Sequence, residues 1–370
     1  MKAVKIHKFK KNKNKNESSI FPVYLLFPYI KIVFFIILLF TYFSIIKRIK
    51  NTNKENKNNV HVSLNIDDKY IYPGIVLLTS LLDNRANSTF YNIHILGNNN
   101  LSMISKNKIN HLIDKFGNNS VKLNFYNLEG YFKNASAHYV SISAYFKIHL
   151  PSLLPYLDKI IYIDGDVLNL KDLSEMYNIT LKENIYYCGI TDYIDHLKQL
   201  KEFGISTDKY INSGVLLINL KALRENSIEK KIIDFVATHR LKFEDQTAIN
   251  TICYNNTQVF PYKYNLFAYP TLNMLSKLND QQNAKYRVSL AELNQSFNEP
   301  TLYHYVSIEK PWLNKTTRFN RVYWWYYAKM SGYYKEILDH YNFNIRNIED
   351  LLKRIPEDGG LLRRNYKKFE

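Results

Sequence analysis

Short apolar runs rich in β-branched and aromatic residues alternate along this chain with longer stretches whose apolar residues recur at helical spacing. Residues 60–70 predict a strand ending at Asp67 and Asp68, and 72–82 follow a helical period. Residues 91–96 predict a second strand, closed by Gly97. Residues 101–116 read as a helix, 121–128 as a third strand and 141–154 as another helix. Ile160, Ile161, Tyr162 and Ile163 then form a buried strand that stops at Asp164 and Asp166, with Gly165 where the backbone leaves it. Beyond it, 185–190 predict a strand leading to Asp192, and 210–220 are the most strand-like run of all. Residues 227–239 read as a helix, and 244–250 open another, with acidic residues in its first turn. Strands alternating with helices predict a mostly parallel, doubly wound α/β sheet. No glycine-rich loop follows the first strand, which argues against a dinucleotide-binding fold.

The two ends break this rhythm. Residues 1–19 are polar and Lys/Asn-rich, and read as a disordered basic tail. Residues 20–46 are almost wholly apolar, interrupted only by Lys31, and so predict a single transmembrane anchor, since roughly 17–25 apolar residues span a bilayer as a helix. No small-residue cleavage site follows, against a removed signal peptide. Seven Lys precede the run and five Lys or Arg follow it, which gives a cytoplasmic N-terminus with the bulk of the chain across the membrane, a Golgi-type lumenal domain in a eukaryote. Residues 47–59 form a linker. At the other end, 316–370 predict a helical extension, aromatic and basic around Tyr323–Tyr327. Trp and Tyr beside Lys and Arg suit a membrane interface; a helix packing its aromatics onto the sheet explains them equally. Residues 271–299 carry no clear pattern.

Charge changes the picture only locally. The net +17 is concentrated in residues 1–59, with 13 Lys and Arg against two Glu; the remaining 37 basic and 31 acidic residues leave +6. A general nucleic-acid surface is therefore not indicated. Two cysteines, Cys188 and Cys253, make neither a disulfide framework nor a paired-cysteine metal site.

The chemistry begins at Asp164 and Asp166. Ligands of open α/β sheets sit at the carboxyl ends of strands. Two hard oxygen donors there suit a divalent cation carrying substrate phosphates. Four further stretches accompany this motif: 65–70, which holds Asp67 and Tyr70; 210–220, which holds Asn212, Ser213 and Gly214; 244–246; and 304–312, which holds His304, Lys310, Pro311 and Trp312.

In order and spacing, the five stretches across residues 60–315 resemble the bacterial-type branch of glycosyltransferase family 8, the lipopolysaccharide galactosyl- and glucosyltransferase-like enzymes. The resemblance implies a GT-A fold, a UDP-sugar donor (UDP-galactose or UDP-glucose), Mn²⁺ with Mg²⁺ as substitute, and retention at the anomeric carbon. It implies Asp164, Asp166 and His304 as metal ligands. It further implies Asp67 and Tyr70 on the uracil, Lys310 on the diphosphate, and Asn212, Asp245 and Gln246 facing the transferred hexose. Pro311 and Trp312 would hold the Lys310 loop. Lys147 stands where the family usually has Arg, keeping the charge on the donor side but losing a bidentate fork. Ser307 stands where it usually has Gly, adding a Cβ beside the phosphates. The expected activity is transfer of a hexose to a glycan or glycolipid acceptor at a membrane.

Two other readings remain open on the residues. A haloacid-dehalogenase-type phosphatase also begins with an apolar strand and two aspartates, but Leu168 occupies the position where that class wants Thr or Val. A membrane-tethered sugar- or nucleotide-binding protein without activity is the non-enzymatic alternative, and Lys147 and Ser307 are what favour it.

Overall fold

A computed structural model describes residues 35–36, 38–43, 58–97, 101–116, 120–131, 142–192, 201–205, 210–241, 243–267, 289–306, 310–313 and 321–353. The chain divides into two units, Met1–Asn56 and Lys57–Glu370. Most of the expected 20–46 anchor lies outside the described residues; within it, 35–36 and 38–43 are helical and exposed. No helix among the described residues is long and apolar enough to cross a membrane. The 1–19 tail, nearly all of the 47–59 linker and Ser307 also lie outside the described residues.

The second unit is built on a seven-stranded sheet, formed by β1 (Asn58–Asn65), β2 (Thr89–Gly97), β3 (Val121–Asn127), β4 (Lys159–Ile163), β6 (Tyr187–Gly189), β7 (Val215–Asn219) and β8 (Thr257–Val259). Their order is β3-β2-β1-β4-β7-β6-β8. Pairing is parallel from β3 through β4 and again between β6 and β8, and β7 runs antiparallel to both of its neighbours. The sheet is therefore mostly parallel, as the strand–helix alternation predicts. A small second sheet joins β5 (Val167–Asn169), β10 (Leu302–His304) and β9 (Leu266–Phe267). Its register sets His304 opposite Val167, one residue beyond Asp166.

Several boundaries differ from the pattern reading. The predicted 210–220 strand begins only at Val215, because 212–214 turn into the cleft. The predicted 141–154 helix is a 3₁₀ segment, Ile142–His149, followed by one α-turn, Leu150–Leu153, with Pro151 near its start. The region 271–299 holds a capped helix, Leu290–Asn298, whose Ser289 side chain accepts from the Glu292 N–H.

The two sheet faces bury separate apolar clusters. One contains Val62, Leu64, Ile93, Ile95, the helix Ile71–Asp83 and the C-terminal helices Arg321–Met330, Tyr334–His340 and Ile345–Leu352. The other holds Leu96, Phe146, Ile160, Tyr162, Leu216, Ile218 and the helix Ile228–Thr238. The C-terminal aromatics belong to the first: Trp324 and Trp325 are 2% and 0% exposed. Trp325 Nε1 donates to the Pro311 carbonyl at 3.1 Å, and Tyr327 Oη accepts from Asn84 Nδ2 at 2.7 Å. Packing onto the core, not a membrane interface, explains this aromatic run.

Candidate active site

The carboxyl ends of β1 and β4 and the amino end of β7 open into one cleft of about 1040 Å³. Asp67, Tyr70, Lys147, Asp164, Asp166, Asn212, Asp245, Gln246 and His304 all line it. Lys310 reaches it by binding Asp166. The ten residues expected to hold the cation, the donor or the sugar thus converge at one place.

Asp164, Asp166 and His304 can each direct one ligand atom to a common point, these atoms lying within 4.8 Å of one another. His304 Nε2 is 3.2 Å from Asp166 Oδ1, and Lys310 Nζ is 2.6 Å from Asp166 Oδ2 and 2.7 Å from the Tyr305 carbonyl. Asp164 Oδ1 accepts from Tyr162 Oη at 2.7 Å. The floor beneath is Gly214. A Cβ there would fall 2.3 Å from His304 Cε1 and 2.9 Å from Asp164 Oδ2, so only glycine leaves room for this arrangement. Two carboxylates and an imidazole fit a divalent cation of mixed O/N preference such as Mn²⁺.

The charges respond to their surroundings. Burial alone would raise Asp166; the Lys310 ammonium and His304 overcome it and hold its carboxyl well below the usual carboxylate range. Asp164 behaves oppositely: burial, opposed by Lys147 and reinforced by the Asp166 charge, leaves its carboxyl above the ordinary value. A cation shared by the two would relieve that repulsion.

Lys147 sits 2.8 Å from Asp245 Oδ2, 2.9 Å from the Ser213 carbonyl and 3.5 Å from Asp164 Oδ1, its ammonium 4.3 Å over the Tyr162 ring. It is 1% exposed. Burial works against its charge, yet Asp164 and Asp245 outweigh that and raise it above the ordinary lysine value. An ammonium has three N–H groups. Two of them bond the Ser213 carbonyl and Asp164 Oδ1, and the ammonium also lies within ion-pair distance of Asp245 Oδ2, so Lys147 serves as an internal counter-ion linking the Asp164 and Asp245 carboxylates.

On the opposite wall, Asn212 Oδ1 accepts from the Gly214 N–H at 3.0 Å and from Asn265 Nδ2 at 2.9 Å. Asn212 Nδ2 donates to Asp192 Oδ2 at 2.9 Å and to Gln246 Oε1 at 3.1 Å. Gln246 Oε1 also accepts from the Ser213 N–H at 2.9 Å, while its Nε2 donates to Asp192 Oδ2 at 3.0 Å. At the β1 end, Asp67 accepts from the Tyr70 N–H at 2.9 Å. The Tyr70 ring is 41% exposed, edge-on to Trp312. Burial of the phenol, with Asp166, Asp164 and Asp67 nearby, pushes its pKa up to about 12.

Three residues of this wall carried no role in the sequence reading: Asp192, Ser213 and Asn265. Asp192 bore the same signal as Asp164, a carboxylate just past a buried strand. Asn265 closes a 3₁₀ turn, Tyr262–Asn265, and carries no periodic signal.

Residues 61–316 match glycosyl transferase family 8, on the same stretch that the five motifs span. The chain belongs to this family. Among family relatives, General stress protein A of Bacillus subtilis (strain 168) is 24% identical over 266 residues, 70% of this chain and 88% of that protein. Lipopolysaccharide 1,2-glucosyltransferase of Escherichia coli is 22% identical over 268 residues, 70% of this chain and 74% of that protein. Galactosyltransferase LgtC, solved in complex with donor and acceptor sugar analogues, shares the fold: TM-score 0.59 at 20% identity, covering 74% of this chain and 95% of that one. The glycosyltransferase membership and the GT-A-like sheet both agree with the resemblance, and the chain is a glycosyltransferase.

Proposed function

We propose that this glycosyltransferase moves a hexose from a UDP-sugar, UDP-galactose or UDP-glucose, to a glycan or glycolipid acceptor, with retention and dependent on Mn²⁺. The observation that carries the reading is that Asp164, Asp166 and His304 share one cleft with Asn212, Asp245 and Gln246. A diphosphate-binding half and a polar, hydroxyl-matching half thus face a single volume.

Asp67 and Tyr70 hold the uracil, the carboxylate accepting from a ring N–H and the half-exposed phenol offering its face. Asp164, Asp166 and His304 would hold the cation, which neutralises the diphosphate as it departs. Lys310, already beside Asp166, adds a positive charge on the same side. Asp245, braced by Lys147, accepts from hexose hydroxyls.

Gln246 bears on how configuration is retained. Both lone pairs of its carbonyl are engaged, by the Ser213 N–H and by Asn212 Nδ2. An amide oxygen so occupied is a still poorer nucleophile than an ordinary one, which favours attack on the face that UDP leaves over a covalent intermediate on Gln246. In this scheme the departing phosphate takes the acceptor's proton. A glycosyl adduct on any side chain, sought by intact-mass analysis during turnover, would refute it.

The test of the whole reading is UDP release by the full chain from a panel of UDP-sugars with Mn²⁺. One hexose donor is expected to stand out, with activity abolished by chelation and by Asp166→Ala or His304→Ala in variants that melt as cooperatively as wild type. Near-normal metal-dependent turnover in either variant would end the metal assignment.

The 20–46 run is proposed as a single-pass anchor with a cytoplasmic N-terminus, supported by its apolar length and flanking charges. Protease treatment of sealed vesicles should leave the large domain intact. Its full digestion from the cytoplasmic side would reverse the orientation.

A further inference from the structure

We propose that Asn265 is a positioning residue that fixes the orientation of His304 and ties the metal half of the cleft to its sugar half. The inference rests on the function proposed above and extends it to a residue that no motif marked.

Asn265 is fully buried. Its Oδ1 lies 2.9 Å from His304 Nδ1, and its Nδ2 is 2.9 Å from Asn212 Oδ1. Two backbone N–H groups determine how every side chain in this array is turned, because a backbone N–H can only donate. The Gly214 N–H meets one end of the Asn212 amide at 3.0 Å, so that end is the carbonyl and the NH₂ faces Asp192 and Gln246. The partner of that carbonyl on Asn265 must then be a donor, which makes it the NH₂ and turns the Asn265 carbonyl toward His304 Nδ1. That nitrogen must in turn carry a proton to donate. Of the two ring nitrogens, Nε2, which faces Asp166, is then the one left to bind a cation.

At the other end, the Ser213 N–H meets one end of the Gln246 amide at 2.9 Å. This fixes the Gln246 carbonyl inward and its NH₂ on Asp192. An unbroken chain of directed hydrogen bonds thus runs from His304 through Asn265 and Asn212 to Gln246 and Asp192. Gly214 supplies the N–H that sets its direction and, having no Cβ, leaves the space His304 occupies.

A histidine ligand is held in tautomer and orientation by the acceptor on its other nitrogen, and losing that acceptor costs roughly 10–100-fold in metal affinity. Asn265 is that acceptor here. It is also a donor toward the sugar side, and the two roles separate by substitution. Asn265→Ala removes both. Asn265→Asp keeps an acceptor for His304 Nδ1–H but sets a carboxylate oxygen against the Asn212 carbonyl, which the Gly214 N–H prevents from flipping away.

The experiment is a Mn²⁺ titration of the full chain with UDP present, followed by the electron paramagnetic resonance of free Mn²⁺, alongside steady-state transfer kinetics and a melting curve for each variant. Asn265→Ala is expected to bind Mn²⁺ about 10–100-fold more weakly than wild type. Asn265→Asp is expected to bind it within about three-fold of wild type while kcat falls at least about ten-fold and donor KM stays close to unchanged. A merely structural asparagine would not give this split. If the alanine variant does not fold, the aspartate variant alone decides. Wild-type Mn²⁺ affinity in Asn265→Ala, or parallel loss of Mn²⁺ binding and kcat in a folded Asn265→Asp, overturns the positioning role and leaves the proposed function standing. Wild-type protein that takes up no Mn²⁺ overturns both.

Discussion

Lys147 shows how one side chain can couple two halves of a site. Its ammonium is buried between Asp245 and Asp164, and removing one member of a buried ion pair leaves the other uncompensated, at a cost of roughly 3–5 kcal/mol. Lys147→Met should lower the unfolding free energy by about that amount in denaturant melts. Adding Asp245→Asn should restore part of the loss, so that the double variant is less destabilised than the two single changes predict. Strict additivity would mean that the pair does not interact. Gly214 is constrained by space instead of charge. In Gly214→Ala the new Cβ meets His304 Cε1 at 2.3 Å, and either the imidazole or the 212–214 turn must shift. The expected cost in stability is about 1–3 kcal/mol. The larger effect should fall on Mn²⁺ affinity, measured by the same titration used for Asn265; unaltered affinity would show that His304 moves without leaving the site.

At the scale of elements, β1 and β2 carry an internal acid sensitivity. His61 Nδ1 and His94 Nε2 lie 3.1 Å apart across the two strands, and His94 Nδ1 is 3.1 Å from Tyr126 Oη. Burial, helped by His61 and Lys122, pulls His94 down from 6.5 to about 4. The folded chain therefore binds fewer protons than the unfolded chain between those values, and stability rises with pH through that window. Acidification from pH 6.5 toward 4 should remove on the order of 2–3 kcal/mol. His94→Gln should flatten that slope in melts across the window; an equally steep loss would place the titrating group elsewhere. Six of the seven strands of this sheet were legible because their apolar runs are clean; β8, three residues long and without a buried run, was not. The direction of β7 was not, since Val215–Ile218 are all buried and a strand covered on both faces has no alternation to read. That nine of the ten candidate site residues share one cleft followed from motifs at or beside predicted elements; Lys147 came instead from the middle of a predicted helix, through the family resemblance alone. Asn265 was not legible, because its place in the cleft exists only through bonds to residues far off in the chain, whereas Asp192 carried a strand-end signal that no motif picked out.

Across the second unit as a whole, the C-terminal helices are part of the catalytic core. Composition left a membrane-facing and a core-facing reading equally open, because both need aromatics beside cations; burial decides between them. Trp324 packs 5.2 Å from Trp312, Trp325 Nε1 binds the Pro311 carbonyl, and Asn84 Nδ2 reaches Tyr327 Oη from the end of the helix Ile71–Asp83. Pro311 directly follows Lys310, whose ammonium sits on Asp166, so the helix Arg321–Met330, bonded to the Pro311 carbonyl, is one residue removed from the side chain that binds Asp166. Replacing a buried tryptophan by alanine costs roughly 3–5 kcal/mol, a large share of the roughly 5–15 kcal/mol by which a typical domain is stable. Trp325→Ala should therefore lower the melting temperature of the entire second unit in one transition and reduce turnover with it. Ending the chain after residue 320 should leave the apolar face of Ile71–Asp83 uncovered and yield protein that binds a hydrophobic dye and transfers no sugar. Differential scanning calorimetry separates this from a detachable extension: a distinct transition for the C-terminal helices, with the 1–320 chain still folded and active, would show that they are an appendage and that Lys310 is held without them.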